Sequence, residues 1–319
     1  MGFVMKHFVV MGLVAFAGAF PGMCADPPLP LELMHLLSLQ DDEEALVDAV
    51  RRLDKQQQDL VEWDRTLAGE YASAQKEDLA KAKIEESTRR IDLVETAWRY
   101  ALDCYPNNAR ANTYLGEVMY DYRGQSMDGV RLWLLALQLD EKEHRAHNNL
   151  GIHYFHSGDP TRGLTHLGRA LKLDKKNPDY LYNLAQMYLL FFPDIQARYD
   201  MKPEKIYKEA MRLSREAAKF APDDYEMCLD YAVNFFAGEN FKVEVDWGEA
   251  AKAFAAARTL ARTNQDRFHT YLNEARCRLN EGKPELAVPP LHAALELHPD
   301  SDPTKKLLER AQAPAAPKS

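Results

Sequence analysis

The chain has 319 residues, 46% hydrophobic and 28% charged, a balance that excludes wholesale disorder. Only 15 residues are glycine, too few for a turn-rich all-β fold or for a dinucleotide fold built on glycine loops. The net charge of −9 argues against non-specific nucleic-acid binding, because neutralising phosphates needs a basic surface.

The first element reads as an export signal. Lys6 precedes an almost wholly apolar run from Phe8 to Phe20, and small residues follow up to Ala25. A positive start, a short apolar core and a small-residue exit are the parts of a secretory signal. The run is too short for a membrane span, which needs about 20 residues. Residues 1–25 are therefore expected to be a signal peptide, and the mature chain is expected to be exported, periplasmic or extracellular, without a transmembrane span. A lipid anchor at Cys24 is disfavoured. Pro21 and Met23 stand where a lipoprotein signal places a branched aliphatic and a small residue.

Asp26–Pro30 is a proline-rich linker. From Asp41 to Leu67 there is neither proline nor glycine, and Leu46, Val50, Leu53, Leu60 and Leu67 recur at helical spacing, with Gln57 and Asp64 as polar interruptions. That pattern predicts a helix packed on the rest of the chain. Ile91–Tyr105 predicts a further helix, the second of an imperfect first repeat, so residues 26–105 read as an N-terminal helical region.

Internal periodicity dominates the remainder. NTYLGEVMY (112–120), HNNLGIHYF (147–155) and LYNLAQMYL (181–189) share Leu, then Gly or Ala, then an aromatic. Their small residues, Gly116, Gly151 and Ala185, lie 35 and 34 residues apart. A second motif with a central alanine follows in LLALQLD, GRALKLD and AALELHPD, and turn signals such as Ser157-Gly158-Asp159-Pro160 separate the two. This resembles the tetratricopeptide repeat (TPR), over residues 106–300. The resemblance implies an all-α TPR solenoid, a right-handed superhelix of helix-turn-helix units. One such unit cannot bury its own apolar face, so units must stack.

Two units exceed the period, with the excess in 192–203 and 238–247, both expected as loop insertions. Phe241, Val243 and Val245 alternate with charged residues, which hints at an extended piece. Such insertions either carry binding or are neutral drift. Residues 301–319 are expected to form a capping helix, Pro303–Ala313, and a frayed tail.

No nucleotide loop, nucleophile elbow or zinc signature is present. His144, His147, His153, His156 and His166 cluster in one repeat, and His153 and His156 share a helix face near Asp159. A metal- or small-ligand site there is the alternative reading. The TPR resemblance instead implies a concave groove lined by the first helix of each repeat, in which a protein or peptide partner binds. The matching positions are Arg110, Thr113, Glu117, Tyr120 and Asp121; Arg145, Asn148, Ile152, Phe155 and His156; and Asp179, Tyr182, Gln186, Leu189 and Leu190. The reading is a non-enzymatic scaffold of the cell envelope, with no cofactor and no catalytic residues. The cysteines Cys104, Cys228 and Cys277 read as small buried hydrophobes.

Overall fold

The computed structural model describes residues 31–313, so the expected signal peptide, Cys24, the expected linker and the expected C-terminal tail lie outside the described residues. Every regular element among the described residues is helical. The chain divides into two compact units, one up to Leu150 and one from Gly151 on. Across the 105/106 boundary expected from the repeats, the helix that ends at Cys104 packs on the one that begins at Ala109.

In the first unit a short α1 (Leu31–Leu37) precedes a long antiparallel hairpin of α2 (Glu43–Ser73) and α3 (Glu77–Cys104). The segment read as a repeat helix from Ile91 is the far half of α3. No glycine or proline interrupts residues 77–104, so nothing stops the helix earlier. The polar interruptions foreseen in α2 are internal. Asp64 is 1% exposed and binds Lys83 Nζ at 2.9 Å and Arg90 Nε at 2.8 Å. Arg90 Nη1 also donates to the buried Gln57 at 3.2 Å. Nearer the hairpin base, buried Asp54 accepts from Trp98 Nε1 at 2.7 Å.

Next comes α4 (Ala109–Glu117), which runs into one wider π-turn, Val118–Tyr122, where Arg123 N–H reaches Val118 O at 3.2 Å. It pairs with α5 (Ser126–Leu139). The pairing explains Gly116: a Cβ there would sit 2.6 Å from Trp133 Nε1. Small-against-large contact brings the two backbones together.

Helix α6 (His144–His156) crosses the division between the units. The second unit continues with α7 (Pro160–Leu173), α8 (Pro178–Leu190), α9 (Phe192–Tyr199), α10 (Pro203–Phe220), α11 (Tyr225–Val233), the short α12 (Gly238–Phe241), α13 (Trp247–Arg258), α14 (Asn264–Asn280), α15 (Pro284–Leu297) and α16 (Asp302–Gln312). The pairs are α8 with α10, α11 with α13, and α14 with α15. The expected capping helix is α16, which covers α15. Side-chain caps fix where helices begin. Asp159, Asn177, Asp224 and Asp246 each accept the backbone N–H three residues on.

The two insertions are more ordered than loops. Residues 192–203 contain α9, which Pro193 starts and which buries Ile195 at 1% exposure. Residues 238–247 form the α12 turn, a left-handed Lys242 at φ 53° and a non-helical run over 243–246. They meet: Phe241 lies 4.3 Å from Phe192, ring to ring, in a cluster with Ile195, Ile206 and Tyr207. Each insertion thereby buries the apolar surface of the other.

Candidate functional site

The residues expected to line a groove fall into two sets, one per unit. In the first unit Arg110, half-exposed, donates to Asp48 of α2 at 2.6 Å. Glu117 is 7% exposed, and Arg145 Nη2 and Asn149 Nδ2 both donate to it, at 2.9 and 2.7 Å. The Arg145 guanidinium lies 4.9 Å over the Tyr114 ring, and that ring stacks on Trp98 with centroids 4.9 Å apart. Arg51 of α2 approaches Tyr114 as well, at 5.9 Å. Tyr120 is half-buried, its ring 5.0 Å from Trp133. Asp121 is exposed, yet surrounding protein and the nearby Glu117 carboxylate push its carboxyl up to about 6.

Two expectations in this set are corrected. Thr113 is fully buried and gives its hydroxyl to Ala109 O at 2.9 Å, while its carbonyl accepts from Trp133 Nε1 at 3.1 Å. Asn148 is 7% exposed and donates to Asn149 Oδ1 at 3.3 Å. Thr113 serves the pairing of α4 with α5, and Asn148 bonds its neighbour within α6.

In the second unit Phe155, also expected in the groove, is 1% exposed. Its ring fills the space left by Gly163, where a Cβ would collide with it, and packs 4.9 Å from Phe191. Ile152 and Tyr182 sit half-buried against the same cluster, whereas His156, Asp179 and Leu190 are exposed. Gln186 Nε2 donates to Asp230 Oδ1 at 2.6 Å, and Asn234 Nδ2 donates to Asp230 Oδ2 at 2.8 Å. Burial pushes Asp230 up to about 6, against the opposing hydrogen bonds from Asn234 and Ser214. Leu189 is half-buried, on the edge of the cluster that joins the insertions.

Sequence reasoning missed Tyr114, Arg51 and Asp48 in the first unit, and Asp230, Asn234 and Ser214 in the second. The signal for the second group was a polar residue flanked by apolar ones within a helix, as in Leu229-Asp230-Tyr231.

The histidine repeat is occupied by other contacts. His147 Nε2 lies 3.1 Å from Glu141 O. Asp159, the third group expected near His153 and His156, holds Arg162 at 2.6 Å and caps α7. Arg162 stacks 4.3 Å over Tyr154. His153 is pushed down by burial first and then by the Arg162 charge. A metal there would face a guanidinium in place of a free carboxylate. Among the described residues, no three His, Cys, Asp or Glu side chains converge to hold an ion. No helix among them is long and apolar enough to cross a membrane. Burial raises the thiols of Cys104, Cys228 and Cys277, the last to about 12, which suppresses the nucleophilic thiolate.

No family model and no curated protein matches the chain. Solved structures resemble it. YrrB, described as a TPR protein with an unusual peptide-binding site, aligns at 17% identity over 67% of this chain and 97% of its own, with a TM-score of 0.49. PilF of Pseudomonas aeruginosa aligns at 14% identity over 80% and 99%, with a TM-score of 0.49. The C-terminal part of a TPR repeat-containing protein from Cytophaga hutchinsonii aligns at 14% over 86% and 98%, also at 0.49. The all-α assignment rests on the helix pairs themselves.

Proposed function

We propose that this chain is a non-enzymatic scaffold that holds a protein or peptide segment against the first helices of its repeats. The observation that carries the proposal is the array around Tyr114, where Arg110, Arg145 and Glu117 are held in fixed orientations by ion pairs with Asp48 and with each other. Prearranged polar groups beside an aromatic ring give an incoming segment orientation at low entropic cost. Among the described residues no three His, Cys, Asp or Glu side chains converge around the perturbed carboxyls Asp54 and Asp121.

The signal read in residues 1–25 supports an exported, cell-envelope location for this scaffold, and the mass of the mature protein recovered from cells tests it. A mass equal to the full-length chain, found in the cytosol, overturns the export half of the proposal.

The binding half is tested by cross-linking tagged full-length protein in intact cells. Arg110→Ala combined with Tyr182→Ala changes one partly exposed groove residue in each unit. Loss of a specific cross-linked partner with helical content unchanged supports the groove. Retention of the partner shows that binding occurs elsewhere.

A further inference from the structure

The second unit carries an unmatched negative charge between two of its first helices. Gln186 of α8 lies between Asp230 of α11 and Asn234 just beyond it, its Nε2 2.6 Å from Asp230 Oδ1 and 3.5 Å from Asn234 Oδ1. On the other carboxylate oxygen, Asn234 Nδ2 donates at 2.8 Å and the Ser214 hydroxyl of α10 at 3.3 Å. Asn234 Nδ2 also donates to Ser214 Oγ at 3.0 Å. Bonds from α8, from α10 and from the end of α11 thus hold the Asp230 carboxylate in one orientation, and all the donors are neutral.

A carboxylate drawn out of water is best met by a cation. The first unit meets Asp64 with Lys83 and Arg90, and Glu117 with Arg145. Asp230 has no such partner. Burial lifts its carboxyl to about 6 against the bonds from Asn234 and Ser214, and no basic side chain lies close enough to lower it. Asp54 also has only neutral donors, but it is sealed inside the hairpin at 3% exposure, whereas Asp230 is only half-buried. A carboxylate offers about four acceptor sites. Oδ1 of Asp230 accepts only from Gln186 among the described residues, so one site there is open.

Two further acceptors stand beside it. Residues four apart share a helix face, so Tyr182 and Glu226 repeat, one turn earlier on each helix, the placement of Gln186 and Asp230. Tyr182 is half-buried, and the charges of Asp230 and Glu226 both act on its hydroxyl. Glu226 is exposed. Neither the Tyr182 hydroxyl nor the Glu226 carboxylate makes a hydrogen bond or ion pair among the described residues. Val233, three residues after Asp230 on α11, leaves 44% of its surface exposed. A primary ammonium has three donors and no acceptor. Asp230 Oδ1, Glu226 and the Tyr182 oxygen supply three acceptors and two negative charges, with an apolar side chain alongside. We propose that this face of α8 and α11 takes a lysine side chain of a bound peptide segment, its ammonium on Asp230 and Glu226 beside Tyr182 and a neighbouring apolar residue of the segment on Val233. The inference rests on the groove reading above and adds the partner's charge to it.

The probe is a fluorescein-labelled octapeptide with one lysine between two leucines in an alanine–serine background, titrated against the full chain by fluorescence anisotropy. A second peptide replaces the lysine with norleucine, which keeps the stem and lacks the ammonium. The lysine peptide is expected to saturate and to bind about tenfold more tightly than the norleucine peptide. Asp230→Asn is expected to erase that preference and to leave the norleucine peptide unaffected, so that the two losses do not add. Glu226→Gln, at an exposed position, is expected to weaken the lysine peptide about threefold, and it still decides if Asp230→Asn disturbs the helix packing. The proposal is overturned if the lysine peptide does not saturate, if both peptides bind alike, or if neither variant alters the preference. Displacement of the lysine peptide by butylamine at equal concentration also overturns it, in favour of a free-amine site. Failure of the groove reads differently. Equal binding of both peptides that Tyr182→Ala abolishes removes the cation and keeps the groove, whereas binding that Tyr182→Ala leaves untouched removes both.

Discussion

The α2–α3 hairpin and the α4–α5 pair belong to the same unit and are closed by different chemistry. Between α4 and α5 the seam is steric with one neutral bond, Trp133 Nε1 to Thr113 O at 3.1 Å: the Trp133 ring lies over Gly116, and Ala136 is fully buried. Between α2 and α3 the seam carries Asp54, Gln57 and Asp64, all under 7% exposed, each met by a donor on the opposite helix. A steric seam fixes register by shape and is indifferent to pH. A polar seam fixes register by directional bonds and makes stability depend on protonation and on every partner being present.

That contrast can be pressed experimentally. Trp98→Ala attacks the polar seam at its base. It empties a fully buried ring site and removes the donor to Asp54, and should cost about 3–5 kcal/mol in urea unfolding. A loss below about 1 kcal/mol would mean the hairpin is held elsewhere. Gly116→Ala attacks the steric seam, where the added methyl meets Trp133 and the Gly129 carbonyl at 3.1 Å. Overpacking outweighs the gain in helix propensity, for a net loss of about 1–2 kcal/mol. Thermal unfolding followed by circular dichroism reads it, and a stabilised variant would show that the seam has slack.

Asp54 separates the two seams by pH. Burial, aided by Glu117, lifts its folded carboxyl from 3.8 to about 6, against the Trp98 and Gln58 bonds. The folded chain therefore keeps this proton to higher pH than the unfolded chain does. Its contribution is fully present below about 3.8 and is lost as pH rises through about 6. Between pH 5 and pH 7 that amounts to about 1–2 kcal/mol of lost stability. Asp54→Asn should flatten the slope by that share, and an unchanged slope assigns the effect to other carboxyls such as Asp230. The smallest effect is expected at Arg212→Ala, whose pairs with Glu209 and Glu216 lie on the surface of α10. There, about 0.5 kcal/mol or less is expected from chemical denaturation.

The steric seams were legible in the sequence because a small residue recurs at fixed spacing and shape complementarity is local. Gly116, Gly151 and Ala185 announced the pairs, and the turn signal Ser157-Gly158-Asp159-Pro160 announced a break between helices, at which Asp159 proves to be the cap. The polar seam was not legible. Gln57 and Asp64 looked like defects in an apolar stripe, because their partner Arg90 lies 33 and 26 residues further along the chain. The residues expected to line a groove divide in the structure. Arg110, Glu117 and Arg145 do converge, but Thr113 and Phe155 turned inward. At Phe155 the cause is Gly163, whose missing side chain draws the ring into the core. The insertions looked like loops because neither carries a repeat pattern, and their order comes from Phe192 meeting Phe241.

The π-turn at Val118–Tyr122 explains a small irregularity of the chain. Gly116 and Gly151 are 35 residues apart, whereas Gly151 and Ala185 are 34 apart. A turn closed across five residues holds one residue more than an α-turn without ending the helix. The surplus residue is absorbed where it arose, at the end of α4, before α5 begins at Ser126. The segments downstream keep their phase. One residue beyond the 34-residue spacing is thereby held as a local widening of one helix, and the beat of the following repeat is not displaced.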